Sequence, residues 1–185
     1  MILDALVNTV GRVLDVGSGE GTLTRELGTR AAVVTGIDVD ASSIDLARRT
    51  TAAPNVNYVQ SDVLAPPFRP ESFDAIVSVA ALHHLEMSAG LTQMVSLLRP
   101  GGVLAVVGLA RSRPVLDLPR DLAAAGASRV LRRNRRYWEH SAPMVWPPPE
   151  TFTGCRRIAE SMLPGVRYRR HLLWRYSQVW TKLTR

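Results

Sequence analysis

The chain has 185 residues, 46% of them hydrophobic, which fits one domain with a sizeable core and the ordinary composition of a soluble globular protein. No apolar run approaches the roughly 18 residues of a membrane span, the Met-Ile-Leu-Asp start lacks signal-peptide character, and a single cysteine, Cys155, excludes an intrachain disulfide and any multi-cysteine metal site. The net charge of +7 is uneven: residues 1–110 hold 7 Lys+Arg against 11 Asp+Glu, net −4, whereas residues 111–185 hold 16 against 5, net +11. The cytoplasm is the expected compartment, and the basic character belongs to the C-terminal part.

Apolar residues at positions 2, 3, 6, 7 and 10 have helical spacing and predict an N-terminal helix packed by one face. Val13, Leu14 and Val16 around Asp15 then read as a strand buried on both sides. Gly17, Gly19 and Gly21 supply a turn that tolerates positive φ and close ligand approach, and Thr22 to Leu27 continues as a helix. Glycines between a strand and a helix N-terminus mark the usual place of a nucleotide-like ligand. A dinucleotide fingerprint would need its third glycine at position 22, which is Thr22, and Asp15 would repel a pyrophosphate. A ligand with a positive end suits this stretch better.

Asp15-Val-Gly17-Ser-Gly19-Glu-Gly21 resembles the first motif, Asp-x-Gly-x-Gly-x-Gly, of the class I S-adenosylmethionine-dependent methyltransferases. The resemblance implies S-adenosylmethionine as cofactor and S-adenosylhomocysteine as product. It places Asp15 at the ammonium end, directly or through water, and Gly17, Ser18, Gly19 and Gly21 along the methionine moiety. Members of this class often carry a longer helical lid before the first strand. With only eleven residues there, this chain reads as reduced or truncated at that end.

Ala31 to Ile37 reads as the second strand and ends in Asp38, 21 residues after Gly17, close to the expected spacing for an acid on a ribose. A carboxylate accepts two hydrogen bonds at once from a cis-diol. Asp40 competes for that role but stands just before the helical stretch Ala41 to Arg49, so Asp38 is assigned to the ribose and Asp40 to the cap. The resemblance adds Val39 beside the cofactor. After the third strand, Val56 to Gln60, it implies that Asp62 accepts from the adenine amino group and that Val63 covers the ring.

Ala75 to Val79 is the fourth strand, and its C-terminal end reaches the same sheet edge as Gly17, Asp38 and Asp62. The family places the methyl group and the substrate near this segment, which makes Ala80 a cofactor contact and Ala81, His83 and His84 neighbours of the acceptor. Either imidazole is a candidate general base. No third ligand stands beside the histidines to form a zinc site, so no metal is expected, and neither Ser18 nor Ser78 has a nucleophile-elbow context.

A helix over Leu91 to Leu98, a stop at Arg99-Pro100-Gly101-Gly102 and a fifth strand over Val103 to Val107 complete the cofactor half, residues 1–110. Residues 111–150 read as an insertion with helices over 121–125 and 128–137, and the resemblance implies that it is a substrate cap. Arginines 129, 132, 133, 135 and 136 suit an acidic small molecule, nucleic acid or a solvated face, and Tyr137, Trp138 and the stretch 144–149 either line an apolar pocket or anchor the cap. A helix from about Glu150 to Met162 and strands over Val166 to His171 and Leu173 to Thr181 close the chain, with almost no room for a turn at Leu172.

The expected architecture is a single α/β domain over residues 1–185, with a doubly wound, Rossmann-like seven-stranded sheet and a helical cap after strand 5. Its strand order, as the resemblance implies, is 3-2-1-4-5-7-6 with the last strand antiparallel. The expected function is S-adenosylmethionine-dependent methyl transfer to a small-molecule acceptor, with a small molecule as partner and no membrane. The basic C-terminal part keeps an RNA or other nucleic-acid methyltransferase as an alternative, although the Asn/Asp-Pro-Pro-Tyr motif is absent. A non-catalytic S-adenosylmethionine-binding protein is a third reading. Acceptor identity and oligomeric state are not legible in these residues.

Overall fold

The computed structural model describes residues 11–113, 126 and 147–184. The expected N-terminal helix, the two cap helices with their arginines, and the aromatic residues from Tyr137 to Trp146 lie outside the described residues. Among the described residues seven strands are present: β1 (Arg12–Val16), β2 (Val33–Asp38), β3 (Val56–Gln60), β4 (Phe73–Val79), β5 (Leu98–Leu109), β6 (Arg167–Arg170) and β7 (Arg175–Thr181). They form one sheet in the order β3-β2-β1-β4-β5-β7-β6, with β7 antiparallel to both neighbours, as expected.

Apolar runs become these strands because both sheet faces are covered. On one face Leu14, Val16, Ile76, Leu104 and Val106 pack in a core with residues of α3 (Met87–Leu97) and α4 (Phe152–Met162). On the other, Val13, Val34, Ala75, Val77 and Ala105 meet residues of α1 (Thr22–Gly28) and α2 (Ala41–Thr50). The parallel register brings the C-terminal ends of β1, β2 and β4 to one edge, where the glycine turn, Asp38 and the histidine segment emerge.

Several boundaries differ from the sequence reading. Helix α3 begins at Met87 rather than Leu91, because Glu86 caps it, accepting from Ser88 N at 2.9 Å and Ala89 N at 2.6 Å. Strand β5 extends past its apolar centre to Leu98 and Leu109, since its flanks find partners in β4 and β7. The β6–β7 reversal does fit: it occupies residues 171–174, with Leu173 and Trp174 both left-handed at φ 60° and 56°. Alternation in β7 does not separate a wet face from a dry one, since Tyr176, Ser177 and Gln178 are buried in succession.

Candidate active site

The glycine turn is built by three glycines with different physical reasons. Gly17 has φ 73°, and a Cβ there would lie 2.1 Å from Ala81 Cβ, so the turn packs directly on the segment after β4. Gly21, at φ 78°, is pressed against the Tyr58 ring, whose hydroxyl would sit 2.2 Å from an added Cβ. Gly19, at φ 49°, faces open space among the described residues, with none of them within 4 Å of the Cβ position. Of the three, Gly19 is the one whose missing side chain leaves a cradle for a ligand.

Ser18 turns away from that cradle. Its side chain is buried over Gly36 of β2, its hydroxyl without a hydrogen-bond partner among the described residues, which leaves its backbone at the turn. The turn is pinned from behind by Ile37 O, which accepts from Gly17 N at 2.9 Å and Ser18 N at 3.1 Å. Tyr58, which sequence reading passed over as an ordinary strand residue, supports it from below and donates to Gly21 O at 3.4 Å. Gly36 is the signal that had been available: a glycine inside a strand marks close approach, here by Tyr58 and Ser18.

Asp38 stands at the end of β2 and latches the turn. One carboxylate oxygen accepts from Gly19 N at 2.8 Å and the other from Asp40 N at 3.0 Å. Each oxygen keeps a further lone pair for an incoming donor. Asp40 caps α2 as expected, accepting from Ser43 N at 2.9 Å and the Ser42 hydroxyl at 2.8 Å, and these bonds hold its pKa down at about 2. Val39 between them is 65% exposed, a large apolar side chain left uncovered beside the turn.

Asp15 lies on the face below α1, 1% exposed, with its carboxylate accepting from the Thr24 hydroxyl at 2.7 Å. Burial raises its pKa to about 7, opposed by the Thr24 bond and reinforced by the Asp38 charge. The group is therefore beneath the turn and does not line it. Asp62 is exposed after β3 and accepts from Leu64 N at 2.8 Å, closing a local turn with one oxygen. Val63 departs from the expectation of a ring cover: at 6% exposure its side chain packs in the core, which leaves almost no surface for a ligand.

At the end of β4, Ala80 is held at φ 54° while its N–H donates to Val107 O at 2.8 Å. A non-glycine residue in that region is strained, and such strain gathers at ligand sites. The following turn, Leu82–His84, sets the two imidazoles 4.1 Å apart, with His83 half-buried and His84 exposed. His83 lines a narrow cavity with Leu85, Met87, Glu150, Cys155 and Tyr176, and its Nδ1 is buried without a partner among the described residues. Burial lowers its pKa to about 4, with the charge of His84 adding to the effect. Cys155, 2% exposed, is pushed up to about 11 by burial and stays a protonated, apolar core residue.

The structure thus brings Gly17, Gly19, Asp38, Ala80 and Ala81 to one rim with the histidine turn, while Ser18, Gly21 and Asp15 support that rim from below. Comparison with known proteins identifies the family. Residues 13–102 match a family model described as a methyltransferase domain. An uncharacterized methyltransferase of Mycobacterium tuberculosis is 36% identical over 97% of this chain and 91% of that one. Phthiotriol/phenolphthiotriol dimycocerosates methyltransferase 1 of Mycobacterium ulcerans is 35% identical over 66% of this chain and 46% of the relative. In fold, a crystal structure of a SAM-dependent methyltransferase from Aquifex aeolicus superposes with TM-score 0.70 at 17% identity, covering 98% of this chain and 87% of that one. With the motif, the strand order and full-length similarity in agreement, the chain is a methyltransferase and belongs to the class I S-adenosylmethionine-dependent family.

Proposed function

We propose that this enzyme moves a methyl group from S-adenosylmethionine to a small apolar acceptor bearing a hydroxyl. The observation that carries the donor side is Gly19, an open glycine cradle held in place by the Asp38 carboxylate. The acceptor class is supported by the phthiotriol and phenolphthiotriol dimycocerosates named for the Mycobacterium ulcerans relative.

When bound, S-adenosylmethionine supplies an electrophilic methyl group on a sulfonium sulfur. The chain's own part is to align and to desolvate. Asp38 accepts the ribose hydroxyls with the lone pairs its backbone bonds leave free. Asp62 has a second oxygen for the adenine amino group, and exposed Val39, rather than buried Val63, offers the apolar surface for the ring. Asp15 sets a negative field beneath the turn that favours the ammonium end without touching it. Neutral His83 takes the proton that an attacking hydroxyl releases, while exposed His84 borders the opening.

Transfer of labelled methyl from S-adenosylmethionine, screened against hydroxylated lipids, phenols and RNA, tests this reading. Turnover is expected on an apolar hydroxylated acceptor, with His83→Ala slowing it by about 100-fold or more. Protonation disables His83 only below its lowered pKa of about 4, so the acid limb of the rate should fall near pH 4 and not near 6.5. Methyl incorporation confined to RNA would overturn the acceptor class.

The glycines provide a separate check. Gly19→Ala fits the available space, so it should cost only about 1–2 kcal/mol of left-handed strain yet impair cofactor binding strongly. Gly21→Ala meets Tyr58 and should lower the melting temperature further. Equal cofactor affinity in Gly19→Ala and the parent chain, measured by calorimetry, would remove the cradle.

A further inference from the structure

The β6–β7 reversal carries Arg-Arg-His-Leu-Leu-Trp-Arg over residues 169–175, an apolar centre between cations. Leu172 at its tip is 56% exposed, with Leu173 and Trp174 half-buried behind it. Arg169 and Arg175 are exposed, and Arg169 pairs with Ser177, which places both arginines on one face of the hairpin. Arg170 lies on the other face, over the Phe152 ring at 3.7 Å. Cations therefore flank the apolar tip on both sides.

Hairpin turns with consecutive left-handed residues favour Asn and Gly, which adopt that conformation at little strain. Here the two positions are Leu173 and Trp174, so large apolar side chains occupy a turn whose backbone disfavours them. Because β7 runs antiparallel to β5, the tip projects at the C-terminal end of β5, and Trp174 O accepts from Ala110 N at 3.0 Å. That is the rim on which the histidine turn and the glycine cradle also open.

We propose that this tip docks on an anionic phospholipid bilayer, inserting Leu172 among the acyl chains while the exposed Arg169 and Arg175 meet the headgroups. The charge match is specific to such a surface: Arg169 and Arg175 stand beside the exposed Leu172, and an apolar point flanked by cations combines the two attractions that hold peripheral proteins. Nucleic acid would match the arginines but has no use for an exposed leucine at their centre. The inference stands on this surface alone and does not depend on which acceptor the enzyme uses.

Sedimentation of the purified full chain with vesicles tests it, with neither cofactor nor acceptor present. Vesicles of phosphatidylcholine with about one-third phosphatidylglycerol should carry the protein down, and pure phosphatidylcholine should not. Leu172→Ser should weaken the partition by about ten-fold or more. Arg169→Gln and Arg175→Gln should each weaken it by about five-fold, and all three variants should keep the parent affinity for S-adenosylhomocysteine. Failure to sediment with anionic vesicles, binding indifferent to Leu172→Ser, or salt-sensitive retention on RNA without vesicle binding would each overturn the proposal.

Discussion

Asp38→Ala is expected to weaken S-adenosylmethionine binding by about 100-fold or more. Two charge-assisted bonds to a ribose diol contribute about 1.5–3 kcal/mol each, and the same carboxylate holds the N–H groups of Gly19 and Asp40. The substitution removes the ribose acceptor and loosens the cradle together. Calorimetry with the cofactor and, separately, with adenosine separates the two effects: a ribose role predicts a loss with both, whereas a loosened methionine end spares adenosine. Unchanged affinity for the whole cofactor would remove Asp38 from the site. Thermal stability should fall only modestly, because α2 keeps its own cap on Asp40.

Asp15→Asn should have the second-largest effect, and its sign depends on pH. The carboxyl titrates near 3.8 in an unfolded chain and near 7 in the folded one. Between these values the unfolded chain ionises while the native carboxyl keeps its proton. Its contribution to stability is thus intact below about pH 4 and is lost as pH rises through 7. Asparagine keeps an oxygen for the Thr24 hydroxyl and never ionises. The variant should therefore match the parent near pH 4 and exceed it at pH 8, by on the order of 4 kcal/mol at most. Melting curves at the two pH values would show the divergence, and parallel curves would contradict the burial argument. His83 works the other way, since its lowered pKa gives stability above 6.5 that is lost as pH falls through about 4. Cofactor binding should reverse the ranking of the Asp15 variant. A cation arriving above the turn favours the ionised carboxylate, so parent affinity should rise as pH passes 7 and that rise should vanish in Asp15→Asn.

Both predictions turn on residues that look alike as letters. Asp15, Asp38, Asp40 and Asp62 each follow or interrupt an apolar run, and position alone marked Asp40 as the helix cap because an N-cap has a local signature. Burial is not local. That Asp15 sits under Thr24 and away from the turn surface follows from the packing of α1 on β1, which no spacing rule encodes. The three glycines make the same point: one faces Ala81, one Tyr58 and one open space, and residues 37 to 64 positions away in sequence decide the first two.

By itself, then, the amino-acid sequence determined the strands, their order through the resemblance, and the family, because apolar runs, turn residues and a short motif are written in consecutive positions. The N-terminal start of α3, the full length of β5 and the room for the β6–β7 turn were decided by the tertiary structure, since each depends on a cap or on ladder partners that the fold brings together. So was the exchange of Val63 for Val39 as the exposed apolar side chain: two valines that each follow an aspartate at a strand end differ only in whether a core lies beneath them.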